Sequence, residues 1–153
     1  GRVVGSLCVL TASKGQGENN VRSAMLASWV SQASFSPPGL SVAVAKDRAV
    51  ESLLQKGDYF ALNILSSNNL KEPLKRFSKP FAPGENRFSG LKTEETPNKQ
   101  VIILESLAWL DATVKERMEC GDHWVIYAEV NYGNVIRKED LTAVHHRKSG
   151  SNY

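Results

Sequence analysis

The sequence contains only two cysteines, Cys8 and Cys120, and they lie far apart along the chain. Such a pair matches neither a disulfide framework nor a metal site. We therefore expect reduced thiols and no bound metal, as is usual in a cytoplasmic protein. A signal peptide and a plausible transmembrane helix are also missing, so the sequence does not point to a membrane.

Long basic runs are absent too, and the three tryptophans are not interleaved with Arg or Lys. A nucleic-acid partner is therefore not expected. The net charge of +3 is compatible with an anionic small molecule. There is no G-x-G-x-x-G and no Walker loop, so a phosphate-bearing ligand must be held in some other way.

The most informative stretch present is residues 22–46, which carries no charge between Arg22 and Lys46. Pro37-Pro38-Gly39 interrupts it, and its many hydroxyl groups are unsuited to a helix in lipid. Its serines are Ser23, Ser28, Ser31, Ser34, Ser36 and Ser41. A neutral stretch with small residues lets backbone amides approach a large planar ligand, so we interpret it as the floor of a cofactor site.

The hydrophobic patterns predict one mainly β domain over residues 1–153. The predicted strands cover residues 3–12, 21–29, 30–35, 40–45, 59–65, 107–120 and 124–136, with a bulge at Gly133 and a last short strand at 141–144. Long hairpins without a βαβ repeat favour a split antiparallel β-barrel of Greek-key type. The start without methionine suggests a piece of a larger protein.

Two short helices are predicted between the strands. Asp47 is a suitable N-cap for a helix over residues 48–56. Asn69 followed by Glu72 resembles a capping box for a second helix that ends near Phe77. Residues 78–98 form an irregular loop with embedded aromatics, and loops of that length in compact domains are usually functional or disordered.

Three segments resemble the flavin reductase-like family, whose fold is the FMN-binding split β-barrel. They are GSLCVLTA paired with AMLASWVSQASFSPP, then VAKDRA leading to GDYFALNIL, and finally ECGDHW. The phrases SWVSQASFSPPGLSVAVAK, RMECGDHW and AVHHRKSG are similar, more narrowly, to the C-terminal flavin reductase module of cyanobacterial diflavin flavoproteins, which are flavodiiron proteins.

This resemblance implies an NAD(P)H:flavin oxidoreductase that binds FMN, with FAD possible, and takes electrons from NADH or NADPH. It implies a homodimer that passes electrons to the flavodoxin-like and diiron domains of a parent protein, where oxygen is reduced to water. Two alternatives stay open: a flavin-binding electron relay without nicotinamide chemistry, and a barrel similar to pyridoxamine-phosphate oxidase.

The resemblance also implies residues for the flavin. Ser28, Trp29, Val30 and Ser31 match the segment that wraps the isoalloxazine ring, and Ser34 is a weaker candidate for the same work. On the sequence alone, the preferred interpretation is that these serines merely punctuate a strand, and it is the family resemblance that favours a flavin site.

The phosphate and the nicotinamide have candidates of their own. Lys46 and Arg48 lie at a strand-to-helix junction, where two cations and a helix N-terminus suit a phosphate; Ala49 could add its backbone N–H. In the irregular loop, Phe88 and its neighbour Arg87 match a basic-aromatic pair that covers the flavin.

His123 follows Gly121-Asp122 at a hairpin tip and matches the histidine beside the nicotinamide face of the flavin. We assign it an orienting role, because hydride transfer needs little acid–base help. Asp122 is expected to shape the turn. The adjacent His145 and His146 have no suitably spaced third ligand for a metal.

Overall fold

The computed structural model describes residues 2–79, 81–82 and 84–146. The strands are β1 (Gly5–Ser6), β2 (Cys8–Lys14), β3 (Val21–Ala27), β4 (Val30–Phe35), β5 (Pro38–Ala45), β6 (Tyr59–Ile64), β7 (Thr93–Glu95), β8 (Val101–Ile103), β9 (Ala108–Cys120), β10 (His123–Val135) and β11 (Val144–His145). The helices are α1 (Lys71–Phe77) and three 3-10 helices at Gly17–Asn19, Ala49–Leu53 and Ser67–Asn69.

Seven strands form the main sheet in the order β3-β2-β6-β9-β10-β5-β4. Two small ribbons, β1-β11 and β7-β8, complete the pairing, and every strand pair is antiparallel. The predicted fold class, a mainly β chain in a split antiparallel barrel, is confirmed. The predicted first hairpin is also present, because β2 pairs with β3 over its whole length.

The β9–β10 hairpin is the longest element and lies in the middle of the sheet. It pairs from His123 opposite Cys120 to Val135 opposite Ala108. Its register shifts twice, between Tyr127 and Ala128 and between Val130 and Tyr132. The predicted bulge at Gly133 is wrong, since Gly133 is paired directly with Leu110. The extra residues are Lys115 on β9 and Asn131 on β10, and each interrupts the regular ladder in the way that a bulge does.

Strand β2 separates two hydrophobic clusters, because successive side chains of a strand point to opposite faces. Cys8 and Leu10 belong to the cluster that contains Phe60, while Val9 belongs to the one that contains Phe77. Both faces of this strand are therefore buried. Each fully buried Leu or Phe contributes roughly 1.5–3 kcal/mol relative to an exposed one.

Both helix caps predicted from the sequence are wrong. The turn after β5 is a 3-10 helix at Ala49–Leu53 whose N-cap is Arg48, without a side-chain cap, so Asp47 does not start a helix. The chain is still paired in the sheet at Ala45, opposite His123, only two residues before Asp47.

The predicted N-cap of the second helix, Asn69, is also wrong. α1 has Leu70 at its N-cap, and Asn69 belongs to the preceding 3-10 helix, which Ser66 caps by accepting from the backbone N–H of Asn68. None of the helices in the described residues has the length and apolar character needed to cross a bilayer.

The end of the irregular loop is fastened to the sheet by a buried carboxylate. Asp111 of β9 accepts from the Thr96 hydroxyl, from Asn98 Nδ2 at 2.7 Å and from Asn131 Nδ2 at 3.0 Å. A buried charge is tolerated only when it is hydrogen-bonded in this way. Strand β7, which lies inside the predicted loop, pairs with β8 just before this anchor.

Gly5 lies against the junction between β3 and β4. A Cβ atom at this position would be 1.9 Å from the carbonyl oxygen of Ser28. We expect Gly5→Ala to lower the free energy of unfolding by about 1–3 kcal/mol, the usual cost of overpacking. Urea unfolding measures this, with Val3→Ala as a control because Val3 is exposed. An unchanged midpoint in the Gly5 variant would contradict this contact.

The two cysteines differ sharply in environment. Burial raises the pKa of the Cys8 thiol to about 12, whereas Cys120 is exposed at the hairpin tip. Because the thiolate is the reactive form, iodoacetamide at pH 8 should label Cys120 in the folded protein and Cys8 only after unfolding in urea. Peptide mass spectrometry reads out both sites. Equal labelling of the two in the folded protein would show that Cys8 is accessible.

Candidate functional site

The tip of the β9–β10 hairpin brings His123 to the end of β5. Gly121 adopts φ 61° in the turn, and His123 pairs with Ala45 across the sheet. The backbone N–H of Lys46 donates to the carbonyl oxygen of Asp122 at 2.9 Å. A glycine accepts this left-handed conformation without steric cost, which explains the Gly-Asp-His order at the tip.

The His123 ring is held between a carboxylate and an indole. Its Nδ1 lies 2.7 Å from Asp122 Oδ1, and its centroid lies 4.8 Å from that of Trp29, with the rings tilted by 40°. The hydrogen bond to His123, followed by the charge of the ring, lowers the pKa of Asp122. When Nδ1–H donates to Asp122, Nε2 is left for a second partner.

Trp29 forms an exposed aromatic surface next to this histidine. Its side chain is 40% exposed, although Ser28 before it is buried. The backbone of Trp29 is fixed, since its carbonyl accepts from the N–H of Ala43 at 3.0 Å. Trp29 and His123 together make a ledge at one end of the sheet, which we call the Trp29 ledge.

A cavity of about 240 Å³ opens between β3, the turn after β5 and the start of the irregular loop. We call it the cationic cavity. Its lining residues are Ala24, Met25, Leu26, Asp47, Arg48, Ala49, Val50, Phe77, Ser78, Lys79, Phe81 and Arg87. Ala45 lies between this cavity and the Trp29 ledge, because it pairs with His123 and its carbonyl accepts from the backbone N–H of Arg48 at 3.1 Å.

Positive charge is in excess in this cavity, because Arg48, Lys79 and Arg87 face a single carboxylate, Asp47. Arg48 lies 3.7 Å from Asp47, while neither Lys79 nor Arg87 has an ion-pair partner within the described residues. This charge imbalance suits a phosphate group.

Arg87 stacks on Phe81, with its guanidinium carbon 4.4 Å from the ring centroid. Burial lowers its pKa, and the nearby charge of Glu85 opposes that change. The stacking fixes the direction of the guanidinium while its nitrogens stay available, so Arg87 is placed to meet an anion that enters the cavity.

A second cavity, of about 350 Å³, lies at the opposite part of the charge-free stretch. We call it the serine-lined cavity. It is lined by Ser6, Cys8, Val30, Ser31, Gln32, Ser34, Pro38, Gly39, Leu40, Leu62, Ile64, Leu110 and Val130. Two of its hydroxyls already bond within the chain: Ser34 Oγ donates to the Pro37 carbonyl at 2.5 Å, and Ser31 Oγ to that of Gln32 at 3.2 Å.

The residues predicted to bind the cofactor therefore fall into separate places. Arg48 and Ala49 line the cationic cavity. Val30, Ser31 and Ser34 line the serine-lined cavity. The remaining candidates, Ser28, Trp29, Lys46, Phe88 and His123, line neither of these two cavities.

Lys46 and Phe88 have other contacts. The ammonium of Lys46 pairs with Glu119 and lies 5.3 Å from the ring centroid of Trp124. Phe88 packs 6.3 Å from Phe77, centroid to centroid, and so holds the loop against α1.

Sequence reasoning did not single out Lys79 and Phe81 for the cavity. The signal that could have found them is their position in the irregular loop of residues 78–98, close to Arg87, because loops of that length are often functional.

The paired histidines were predicted to lack a third metal ligand. His145 belongs to β11, opposite Gly5, and Arg147 lies outside the described residues. Across the described ranges, no group of three or more His, Cys, Asp or Glu side chains could hold a metal ion.

The family model for the flavin reductase like domain matches residues 1–151. The chain belongs to the flavin reductase-like family. Diflavin flavoprotein A 1 of Synechocystis sp. is 54% identical over 153 residues, which are 100% of this chain and 26% of that protein. The flavin reductase-like domain described here thus spans about a quarter of the length of this relative.

Solved structures have the same fold. The NADH:FAD oxidoreductase SgcE6 of Streptomyces globisporus C-1027, in complex with NAD and FAD fragments, has a TM-score of 0.78 at 17% identity, covering 97% of this chain and 87% of that one. The flavin reductase HpaC complexed with NADP+ has a TM-score of 0.76 at 22% identity, covering 94% and 86%. At these identities the likeness concerns the fold of the flavin reductase-like domain.

Proposed function

We propose that this flavin reductase-like domain is an NAD(P)H:flavin oxidoreductase that binds FMN or FAD. The observation that carries the proposal is the cationic cavity next to the Trp29 ledge. It offers an unneutralised site for a phosphate beside an aromatic surface and a histidine, which are the groups that a flavin nucleotide and a nicotinamide require.

The size of the cationic cavity indicates that it holds only part of the ligand. Pockets that bury a whole drug-sized ligand measure about 300–1,000 Å³, and the cationic cavity is smaller, at about 240 Å³. Arg48, Lys79 and Arg87 would therefore hold the phosphate end. Trp29 would flank the flavin ring and exclude water from one side, and the buried backbone around Ser28 would lie close to it.

When bound, a flavin accepts a hydride from a reduced nicotinamide and releases electrons to another acceptor. The protein's part in this is orientation. Asp122 holds Nδ1 of His123, so that Nε2 is directed at a second partner, which we assign to the nicotinamide carboxamide. Correct positioning of two reactants is worth several kcal/mol of barrier.

The wider setting of this activity is part of the same proposal. From the family resemblance we propose that electrons pass to flavodoxin-like and diiron domains that reduce oxygen to water; the similar diflavin flavoprotein is about four times as long as this chain and so has room for further domains. A homodimer is proposed from the family resemblance. The alternative of an electron relay without nicotinamide oxidation uses the same cavity and lacks only the role of His123.

Anaerobic addition of NADH or NADPH to the flavin-loaded protein should bleach the visible absorbance band of the flavin, because the bound flavin accepts the hydride. Comparing the two nucleotides at equal concentration also identifies the preferred donor. Bleaching by dithionite but by neither nucleotide would favour the electron relay.

Arg48→Met should raise the dissociation constant for FMN by about 10- to 150-fold, because a charge-assisted hydrogen bond contributes about 1.5–3 kcal/mol. Quenching of FMN fluorescence measures it. Arg22→Met is the matched control, since Arg22 pairs with Glu95 and does not line the cavity. Unchanged affinity in the Arg48 variant would contradict the placement of the phosphate.

Ser31→Val tests the other cavity in the same assay. Because the Ser31 hydroxyl already donates to Gln32 within the chain, we expect the FMN affinity to stay within about twofold. A clear loss would instead place part of the flavin in the serine-lined cavity, as the family resemblance implied for Ser31.

A further inference from the structure

Lys46 was predicted to bind phosphate, yet its contacts lead to the hairpin that carries His123. We propose that Lys46 is a positioning residue, which holds the His123 hairpin against the end of β5 through Glu119 and Asp122. The inference rests on the proposed function, because it assigns Lys46 a part in hydride transfer without a part in flavin binding.

The first support is that one residue holds the turn on both sides. The backbone N–H of Lys46 donates to the carbonyl of Asp122, directly before His123. Its ammonium pairs with Glu119, near the end of β9 on the other side of Gly121. A turn fastened at both ends has less freedom to rotate, so the imidazole keeps its direction.

Trp124 extends this contact toward the cationic cavity. The ammonium of Lys46 and the guanidinium of Arg117 both lie over its ring, at 5.3 Å and 4.4 Å from the centroid. Arg117 in turn pairs with Glu51, within the 3-10 helix at Ala49–Leu53. A continuous set of contacts therefore joins the hairpin tip to the turn whose first residue, Ala49, lines the cavity.

The electrostatics agree with this assignment. The hydrogen bond from Lys46, followed by its charge, lowers the pKa of Glu119. The ammonium is thus committed to a carboxylate, and Lys46 does not line the cavity in which three other cations lie. Exposed ion pairs add little to folding stability, so the expected consequence of losing this one is misalignment of His123 with the fold retained.

The test compares Lys46→Met and Glu119→Gln in the flavin-loaded protein. Each should slow flavin reduction by the preferred nucleotide about tenfold, since small misplacements cost up to about a hundredfold. The FMN dissociation constant should stay within about twofold. The double variant should be no slower than either single one, because the two side chains act as one unit.

Lys56→Met is the matched control. Lys56 forms a similar ion pair with Glu116 at 2.6 Å on the same strand β9, at 70% and 69% side-chain exposure, but it does not contact Trp124. The Lys56→Met variant should reduce its flavin at the same rate as the unmodified protein. The exchanged pair Lys46→Glu with Glu119→Lys should recover part of the rate, which a phosphate ligand could not do.

Two results would overturn the proposal. A tenfold loss of FMN affinity in Lys46→Met but not in Glu119→Gln would make Lys46 a phosphate ligand. Unchanged reduction rates in both variants would deny it any positioning role. NMR of the His123 ring gives an answer that needs no turnover: its resonances should shift in both variants and not in Lys56→Met.

The NMR measurement separates the proposed reductase function from the proposed positioning role of Lys46. If neither nucleotide reduces the flavin in the unmodified protein, the proposed function fails, while the His123 resonances still decide whether Lys46 orients that ring. Unshifted resonances in Lys46→Met would then reject the inference by itself.

Discussion

The backbone ladder between β9 and β10 is the interaction on which the rest of the structure depends. These two strands lie at the centre of the seven-stranded order, with β6 on one side and β5 on the other. Strand β10 also pairs with β5, and the register between those two strands sets His123 opposite Ala45 and so decides what the hairpin tip can contact. A slip by one residue would turn every side chain of β10 to the other face, removing His123 from Trp29.

The cations around this ladder fall into two groups, those that are paired with carboxylates and those that are not. Acidic side chains neutralise most of the cations near the hairpin, as Glu119 does for Lys46 and Glu51 for Arg117. In the cationic cavity this compensation is incomplete. This difference in pairing matters because a cation that is already paired with a carboxylate gains little free energy from binding a phosphate, whereas an unpaired cation gains most. The proposed phosphate site is therefore the place where the cations outnumber the carboxylates.

The strands and their antiparallel arrangement could be predicted from the sequence because period-two burial is a local pattern. The serine-rich, charge-free stretch was also recognisable. The helix starts could not be predicted correctly. Asp47 and Asn69 were expected as N-caps, but strand pairing and a neighbouring 3-10 helix overrode the capping preference of these side chains. The bulge was misplaced at Gly133 because a glycine in a strand signals several structures.

For the site, the sequence indicated which residue types are available more reliably than it indicated which of them lie close together. His123, Trp29 and Arg48 were proposed from short motifs, and the structure places the first two in ring contact. Ser31 and Arg48 were expected at one site, but they line different cavities. Residues on one continuous stretch share a strand direction, yet alternate side chains and a turn can send them to opposite ends of a sheet.

By itself, then, the sequence determined the antiparallel β architecture, the neutral character of residues 23–45 and the family to which the chain belongs. Those properties depend on composition and on local periodicity. Only the tertiary structure decided that Lys46 contacts Glu119, that Arg87 and Lys79 join Arg48, and that His123 lies against Trp29. Each of these contacts joins residues from different elements, and it is strand register and loop packing that bring such residues together.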